Sequence, residues 1–350
     1  MFLQSKTRVL HLLSSDRFSG AENVACQIIE MMKGMDFEMA YCSPDGQIRE
    51  ALAGRSVLFY PVKKMNISEA RRVVRAFGPD IIHAHDARAS AVATVAGGDA
   101  RIISHMHVNN EKMKKTNART LAYLACSLKF EKILWVSKSS LEGNRFFRQL
   151  SPISTVLYNV LDPGPVLTKA AGEDANGRYD VVFIGRMTAQ KDPARLIRVL
   201  RLAADRIPGL RAAVIGEGEL LEPTKAMAAR TGLLKNVSFL GYMGNPLPIL
   251  SRAKLMVMTS RFEGTPICAL EAMILGVPIV STPADGMADL VRDGENGFLA
   301  KEDGALAEKI ALLLTDGSIR ERMSGMARKK AAEYSRISDY RETLLRVYAM

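Results

Sequence analysis

The chain has 350 residues, 48% apolar and 24% charged, with four cysteines and a formal net charge of +11. Cysteines without CxxC spacing argue against a disulfide scaffold or a zinc ribbon, and no apolar run reaches the roughly 18 residues of a membrane span, so a cytoplasmic protein of two domains is expected. The charge is uneven: residues 1–160 carry 22 basic and 14 acidic side chains, residues 161–350 carry 26 and 23, and this asymmetry with only 6% aromatics points to phosphates or an acidic membrane and away from nucleic acid.

The stretch around Lys6–Ser14 lacks a small-residue cleavage site and reads as a first strand, not a signal peptide. Further strands are expected at Glu38–Ser43, Val57–Tyr60, Ile81–His83, Arg101–Ser104, Ile133–Val136 and Thr155–Leu157. Amphipathic stretches such as Ala21–Met32, Ser68–Phe77 and Asn117–Lys129 separate them. A polar segment with two prolines, Asp162–Arg178, is the best linker candidate. The alternation then restarts, with strands at Asp180–Ile184, Arg211–Ile215, Val237–Leu240, Leu255–Met258 and Pro278–Ser281, and two helices at Ser318–Ser335 and Arg336–Tyr348. The fold class is α/β: two doubly wound parallel sheets, with a ligand at the strand carboxyl ends.

The segment richest in chemistry is Ser260–Ile279 (SRFEGTPICALEAMILGVPI). A strand runs into a loop and then a helix, with Thr265 as the expected N-cap and Pro266 at the first helical position. The free amides near Pro266–Cys268 would form an anion site assisted by the helix dipole. Glu263 precedes that helix and Glu271 lies inside it, so one carboxylate reaches the tip of a ligand and the other its hydroxyls. In Val182–Asp192, Arg186 and Lys191 follow a strand that ends in glycine, and two cations at a strand's carboxyl end suit a diphosphate. In Ser14–Asn23, Gly20 opens a helix after the first strand, a second place for backbone to meet phosphate.

Taken in order, these segments resemble the retaining glycosyltransferases of family 4, whose GT-B fold sets two Rossmann-like domains facing each other across a deep cleft. The second half carries most of the likeness: GRMTAQKD, IGEGEL (Ile215–Leu220), FLGYMGN (Phe239–Asn245), FEGTPICALEAM with Glu263 and Glu271 as the E-x7-E pair, and ADGMADLVRDGENGFL (Ala284–Leu299). The first half matches more loosely, through SGAEN, DIIHAHD (Asp80–Asp86), ISHMHVN (Ile103–Asn109), VSKSSLEGNR (Val136–Arg145) and VLYNVLD (Val156–Asp162).

The resemblance implies an acceptor-side domain over residues 1–162, with the last helix, 337–350, crossing back to it, and a donor-binding domain over 163–336. Arg186 and Lys191 would hold the donor's diphosphate, and Glu271 the ribose hydroxyls. Glu263 and the backbone of Gly264, Thr265, Pro266 and Ile267 would hold the sugar. The base would rest near Gly216, Glu217 and Met243. His107 would contact the sugar, and Gly20 would let backbone approach phosphate. The implied donor is a UDP-sugar, and the acceptor a glycan or lipid-linked hydroxyl in surface polysaccharide assembly. No Asp-x-Asp motif is present, so neither a metal nor a cofactor is expected. The chain departs from the family at Ser19–Gly20, where two glycines are common, at Ala288–Asp289, where Pro-Glu is common, and in lacking the prolines some relatives have at the histidine motif.

All five histidines lie in the first 110 residues. His11 reads as a core histidine, while His83 with His85 and His105 with His107 form HxH pairs, each on one face of its strand. HxH also suits zinc, but no Cys or Glu set of matching spacing accompanies it, and His85 with His107 fits hydroxyl and phosphate recognition. The basic stretch Lys112–Arg148, which includes LAYLACSLKF (Leu121–Phe130), can be read as an interfacial helix on the inner face of an anionic membrane or as a packed helix with a solvated basic edge. Two rival functions are a nucleotide-sugar epimerase on the same fold and an inactive nucleotide- or sugar-binding protein.

Overall fold

The computed structural model describes residues 6–108, 111–172 and 177–350; Asn109 of the second histidine motif and residues 173–176 of the polar segment lie outside the described residues. The chain divides into two compact units, residues 1–159 with 338–350, and residues 160–337.

The first unit is built on seven parallel strands: β1 (Thr7–Leu12), β2 (Phe37–Pro44), β3 (Leu58–Val62), β4 (Ile81–Ala84), β5 (Arg101–Met106), β6 (Phe130–Trp135) and β7 (Ser154–Val156), in the order β3-β2-β1-β4-β5-β6-β7. The inner strands are nearly continuous apolar runs because helices cover both faces of the sheet. Val9, Leu10, Ile81, Ile82, Ile133 and Leu134 are fully buried. Helix Ile67–Phe77 shows how sequence sets the ends: the Asn66 side chain accepts from the Glu69 amide, and Gly78 closes the helix in the left-handed conformation at φ 63°. Helix Ile337–Ala349 packs on this unit through Tyr340, Leu344, Val347 and Tyr348, all buried.

The second unit has six parallel strands: β8 (Val181–Ile184), β9 (Ala212–Ile215), β10 (Val237–Gly241), β11 (Leu255–Met258), β12 (Ile279–Ser281) and β13 (Gly297–Leu299), in the order β10-β9-β8-β11-β12-β13. The expectation of two doubly wound α/β sheets holds. Each sheet reverses its strand order once, between β1 and β4 and between β8 and β11. Ligands of such sheets bind beyond the strand carboxyl ends at that reversal.

The polar segment after residue 161 is not an open linker along its first part. Asp162 accepts from the Gly164 amide and Pro163 opens a helix, Pro163–Ala170, which buries Val166 and Ala170.

Candidate functional site

In the second unit the loops that leave β8, β9 and β10 continue the sheet for a few residues. Gly185 N donates to Ile215 O (3.0 Å), Met187 N to Glu217 O (2.8 Å) and Gly216 N to Gly241 O (2.7 Å). This close approach requires glycine: Gly216 sits at φ 137°, and a Cβ there would lie 2.0 Å from the Gly185 carbonyl oxygen. The arrangement holds Arg186, which is exposed, next to Gly216 and Glu217 on the same sheet edge. Glu217 Oε1 accepts from the Tyr242 amide (3.4 Å), which brings the Met243 loop alongside.

Across the reversal, the loops after β8 and β11 are tied together. Arg261 N donates to Gln190 O (2.8 Å), Gln190 Nε2 to Phe262 O (3.1 Å), and Thr259 Oγ1 to Lys191 O (3.1 Å). The result is a buried ion pair between residues 72 apart: Lys191 Nζ lies 2.5 Å from Glu263 Oε1, with side chains 12% and 5% exposed. Ser260 Oγ donates to the same oxygen at 2.5 Å. Burial works to lower the Lys191 pKa, and the Glu263 carboxylate more than offsets it, leaving the ammonium raised. The loop after β12 closes on this pair, as Gly286 N donates to Glu263 O (3.3 Å), and Asp285 before it is held at φ 37°.

Helix Ile267–Leu275 follows, one residue later than expected: Pro266 (φ −67°, ψ 126°), not Thr265, is the N-cap. A proline cap offers no side-chain acceptor, so the first helical amides, at Ile267 and Cys268, have no partner within the helix. Glu271 lies on the second turn, and its carboxylate accepts no hydrogen bond among the described residues. Burial pushes its carboxyl up to about 7, with Lys169 pulling it down. Burial also pushes the Cys268 thiol up to about 12, so it is an inert neighbour. Arg186, Lys191, Gly216, Glu217, Met243, Glu263 to Ile267 and Glu271 thus all stand at the carboxyl ends of one sheet. The supporting roles of Ser260, Gln190 and Gly286 are not legible from their motifs: Ser260 reaches forward three residues to Glu263, while Gln190 and Gly286 come near only through the neighbouring β8 and β12 loops.

In the first unit, Gly20 is the exposed first residue of helix Gly20–Met31, where Glu22 Oε2 accepts from Ser19 N (3.1 Å) and Ser19 Oγ (2.5 Å). The histidines, separate strand pairs in the sequence, form one cluster at the β1/β4 reversal. His11 Nδ1 is 2.8 Å from His85 Nε2, His85 Nδ1 is 3.0 Å from His107 Nε2, and His83 bridges His105 (3.1 Å) and the Tyr348 hydroxyl (2.7 Å). His85 is fully buried, with both ring nitrogens engaged, which corrects its assignment as a direct ligand contact; only His107 is partly exposed. His11 is only half satisfied, since its Nε2 has no partner among the described residues. Burial lowers all five pKa values, to about 3 for His11 and His107, so the cluster is neutral at pH 7.

The basic stretch holds less free apolar surface than its sequence suggests. Tyr123 and Phe130 belong to the core, and among the described residues the exposed large apolar side chains there are Leu121 (50%) and Leu128 (89%). Among the described residues no helix is long and apolar enough to cross a membrane.

Residues 168–330 match the family model of glycosyl transferases group 1. Among curated relatives, the poly(glycerol-phosphate) alpha-glucosyltransferase of Bacillus subtilis is 33% identical over 162 residues, covering 45% of this chain and 24% of that protein. A Campylobacter jejuni alpha-N-acetylgalactosaminyltransferase acting on a diphospho-undecaprenol is 27% identical over 221 residues, covering 62% of this chain and 60% of the relative. The chain spans 24%, 42% and 62% of the lengths of the first three curated relatives it matches. Among solved structures, Anabaena HepE in complex with UDP and glucose superposes with a TM-score of 0.83 at 20% identity, over 98% of this chain and 99% of that one. The fold is thus the GT-B fold of glycosyltransferases such as HepE and TarM.

Proposed function

We propose that the chain is a retaining, metal-independent glycosyltransferase of family 4, moving a sugar from a UDP-sugar to a hydroxyl of a glycan or lipid-linked acceptor in surface polysaccharide assembly. The observation that carries this reading is the constellation at the β8/β11 reversal: the buried Lys191–Glu263 pair, the helical amides after Pro266 that lack a partner within the helix, and the Glu271 carboxylate eight residues beyond Glu263. Departure of a nucleoside diphosphate builds negative charge, and Arg186, Lys191 and the helix amides would stabilise it without a metal. Glu271 would accept from the ribose hydroxyls, Glu263 and the Gly264–Ile267 backbone would position the sugar, and the loops of Gly216, Glu217 and Met243 would take the base. His107 would contact the sugar, and Gly20 would face phosphate. In the proposed reaction the acceptor hydroxyl attacks on the face from which the diphosphate leaves, so Glu263 is a positioning group and not a nucleophile. Relatives named for polymer and undecaprenol-linked acceptors, and a structural neighbour holding UDP, support the substrate classes. Attraction of the Lys112–Arg148 stretch to an anionic membrane, at the inner leaflet, belongs to the same proposal.

The test is Glu263→Ala. Transfer from the UDP-sugar should fall by at least 100-fold, a positioning contact of about 2.7 kcal/mol or more, while UDP still raises the melting temperature. Undiminished transfer would overturn the site assignment. A thermal shift with GDP or ADP in place of UDP would replace the donor.

A further inference from the structure

The five histidines form two rails, one stacked on the other. In the first rail, His11–His85–His107, ring centroids lie 5.1 and 5.3 Å apart while the facing nitrogens are 2.8 and 3.0 Å apart. Those separations are what rings meeting edge to edge along one line require. The second rail, Tyr348–His83–His105, lies against it: His83 stacks on His85 at 4.4 Å and 14°, and His105 lies against His107 at 4.3 Å, tilted by 31°.

This geometry decides between two uses of a histidine cluster. The triads His11/His83/His85 and His85/His105/His107 have nitrogens within 4.8 Å of one another, a spacing that suggests a metal. Yet nitrogens that face each other head-on share a single proton between them. An ion placed between them, at about 2.0–2.1 Å from each, needs an opening near 4 Å, wider than the 2.8 and 3.0 Å found here.

A line of neutral imidazoles has only two proton arrangements, because each ring carries one N–H. In one, every donor points toward His11, and His11 Nε2–H is left buried with no acceptor. In the other, His11 donates from Nδ1 to His85, His85 donates from Nδ1 to His107 Nε2, and a bare lone pair remains at His11 Nε2, which has no partner among the described residues. Orphaned buried N–H groups are rarer than under-satisfied acceptors. We infer that His11 and His85 are positioning residues whose hydrogen bonds fix His107 as the Nδ1–H tautomer, so that His107 offers a ligand a donor and not a base. The ligand chemistry matched is an acceptor oxygen, a sugar hydroxyl or phosphoryl oxygen; that sugar-nucleotide assignment rests on the function proposed above, whereas the tautomer does not.

The experiment is a long-range proton–nitrogen correlation spectrum of the full chain labelled at histidine nitrogens, at pH 7.5, with His107 assigned through His107→Gln. The expected result is a protonated Nδ1 and a bare Nε2 at His107. In folded His11→Phe the chain of donors loses its origin, and the Nε2–H population of His107 should rise about tenfold, with kcat/KM for the UDP-sugar falling about tenfold. A wild-type His107 carrying its proton on Nε2 overturns the inference, as does an unchanged tautomer in folded His11→Phe. If that variant does not fold, the wild-type spectrum decides alone. Failure to bind any nucleotide sugar would remove the proposed function and leave the His107 tautomer, read from the spectrum, unaffected.

Discussion

Mild acid should unfold the first unit and spare the second. All five histidines lie in the first unit and none in residues 160–337. Burial holds His11 and His107 near 3 and the other three well below the ordinary 6.5. A histidine depressed on folding contributes stability that is intact above pH 6.5 and is lost as pH falls from there toward the folded pKa. At pH 5.5 each histidine that stays neutral in the fold costs about 1.4 kcal/mol relative to an unfolded chain free to protonate, or roughly 7 kcal/mol for five. Whole domains are stable by about 5–15 kcal/mol, so the first unit should reach its midpoint between pH 5 and 6. Glu271 acts in the opposite direction: its carboxyl is raised to about 7, so the second unit gains stability as pH falls through 7 toward 4.5. The assay is built into the chain, because the single tryptophan, Trp135, is fully buried on β6 of the first unit. Its fluorescence should shift red between pH 6 and 5 while hydrogen exchange keeps second-unit amides protected. An unshifted Trp135 at pH 4.5, or histidine resonances titrating near 6.5 in the folded chain, would refute the reasoning.

Other consequences are checked more simply. Lys191→Ala removes the cation from a buried carboxylate and should cost about 3 kcal/mol or more by denaturant unfolding, besides weakening UDP. Gly216→Ala, which drives a Cβ to 2.0 Å from the Gly185 carbonyl, should lower the melting temperature and release the loop of Arg186 and Glu217; an unchanged melt would contradict the close approach. UDP affinity should rise several-fold from pH 6 to 8 as Glu271 ionises, and calorimetry on Glu271→Gln should find it flat. Tyr348→Phe leaves His83 Nδ1 buried without a partner and should destabilise the first unit by about 1–3 kcal/mol.

Most strands are legible in the sequence because parallel strands covered on both faces spell apolar runs, such as VVFI at Val181–Ile184 and LMVM at Leu255–Met258. β13 is not, since three residues after Asn296 are too few for periodicity and their pairing with Ile279–Ser281 is long-range. The cap falls at Pro266, one residue from the expected site, because Thr265 is the better capping side chain, whereas backbone geometry set by the proline decides the helix start. Glu263, Glu271, Arg186 and Lys191 can be named from spacing and family likeness, but not the direct pairing of Lys191 with Glu263, which needs β8 beside β11. The histidine rails are invisible for the same reason: register sets His11 opposite His83, and Ala84 opposite Ser104, only once β1, β4 and β5 are neighbours.

The first unit draws on residues 6–159 and again on 338–350, whose Tyr348 carbonyl and hydroxyl are bonded to Arg101 and His83. On the ribosome that division imposes an order. Residues 160–337 are contiguous and can close their sheet as soon as β13 and the helices after it have emerged. The first unit is complete only when the later helix, Ile337–Ala349, brings Tyr348 to the open end of its histidine rail. The second unit therefore matures first, and the unit begun earliest is completed last.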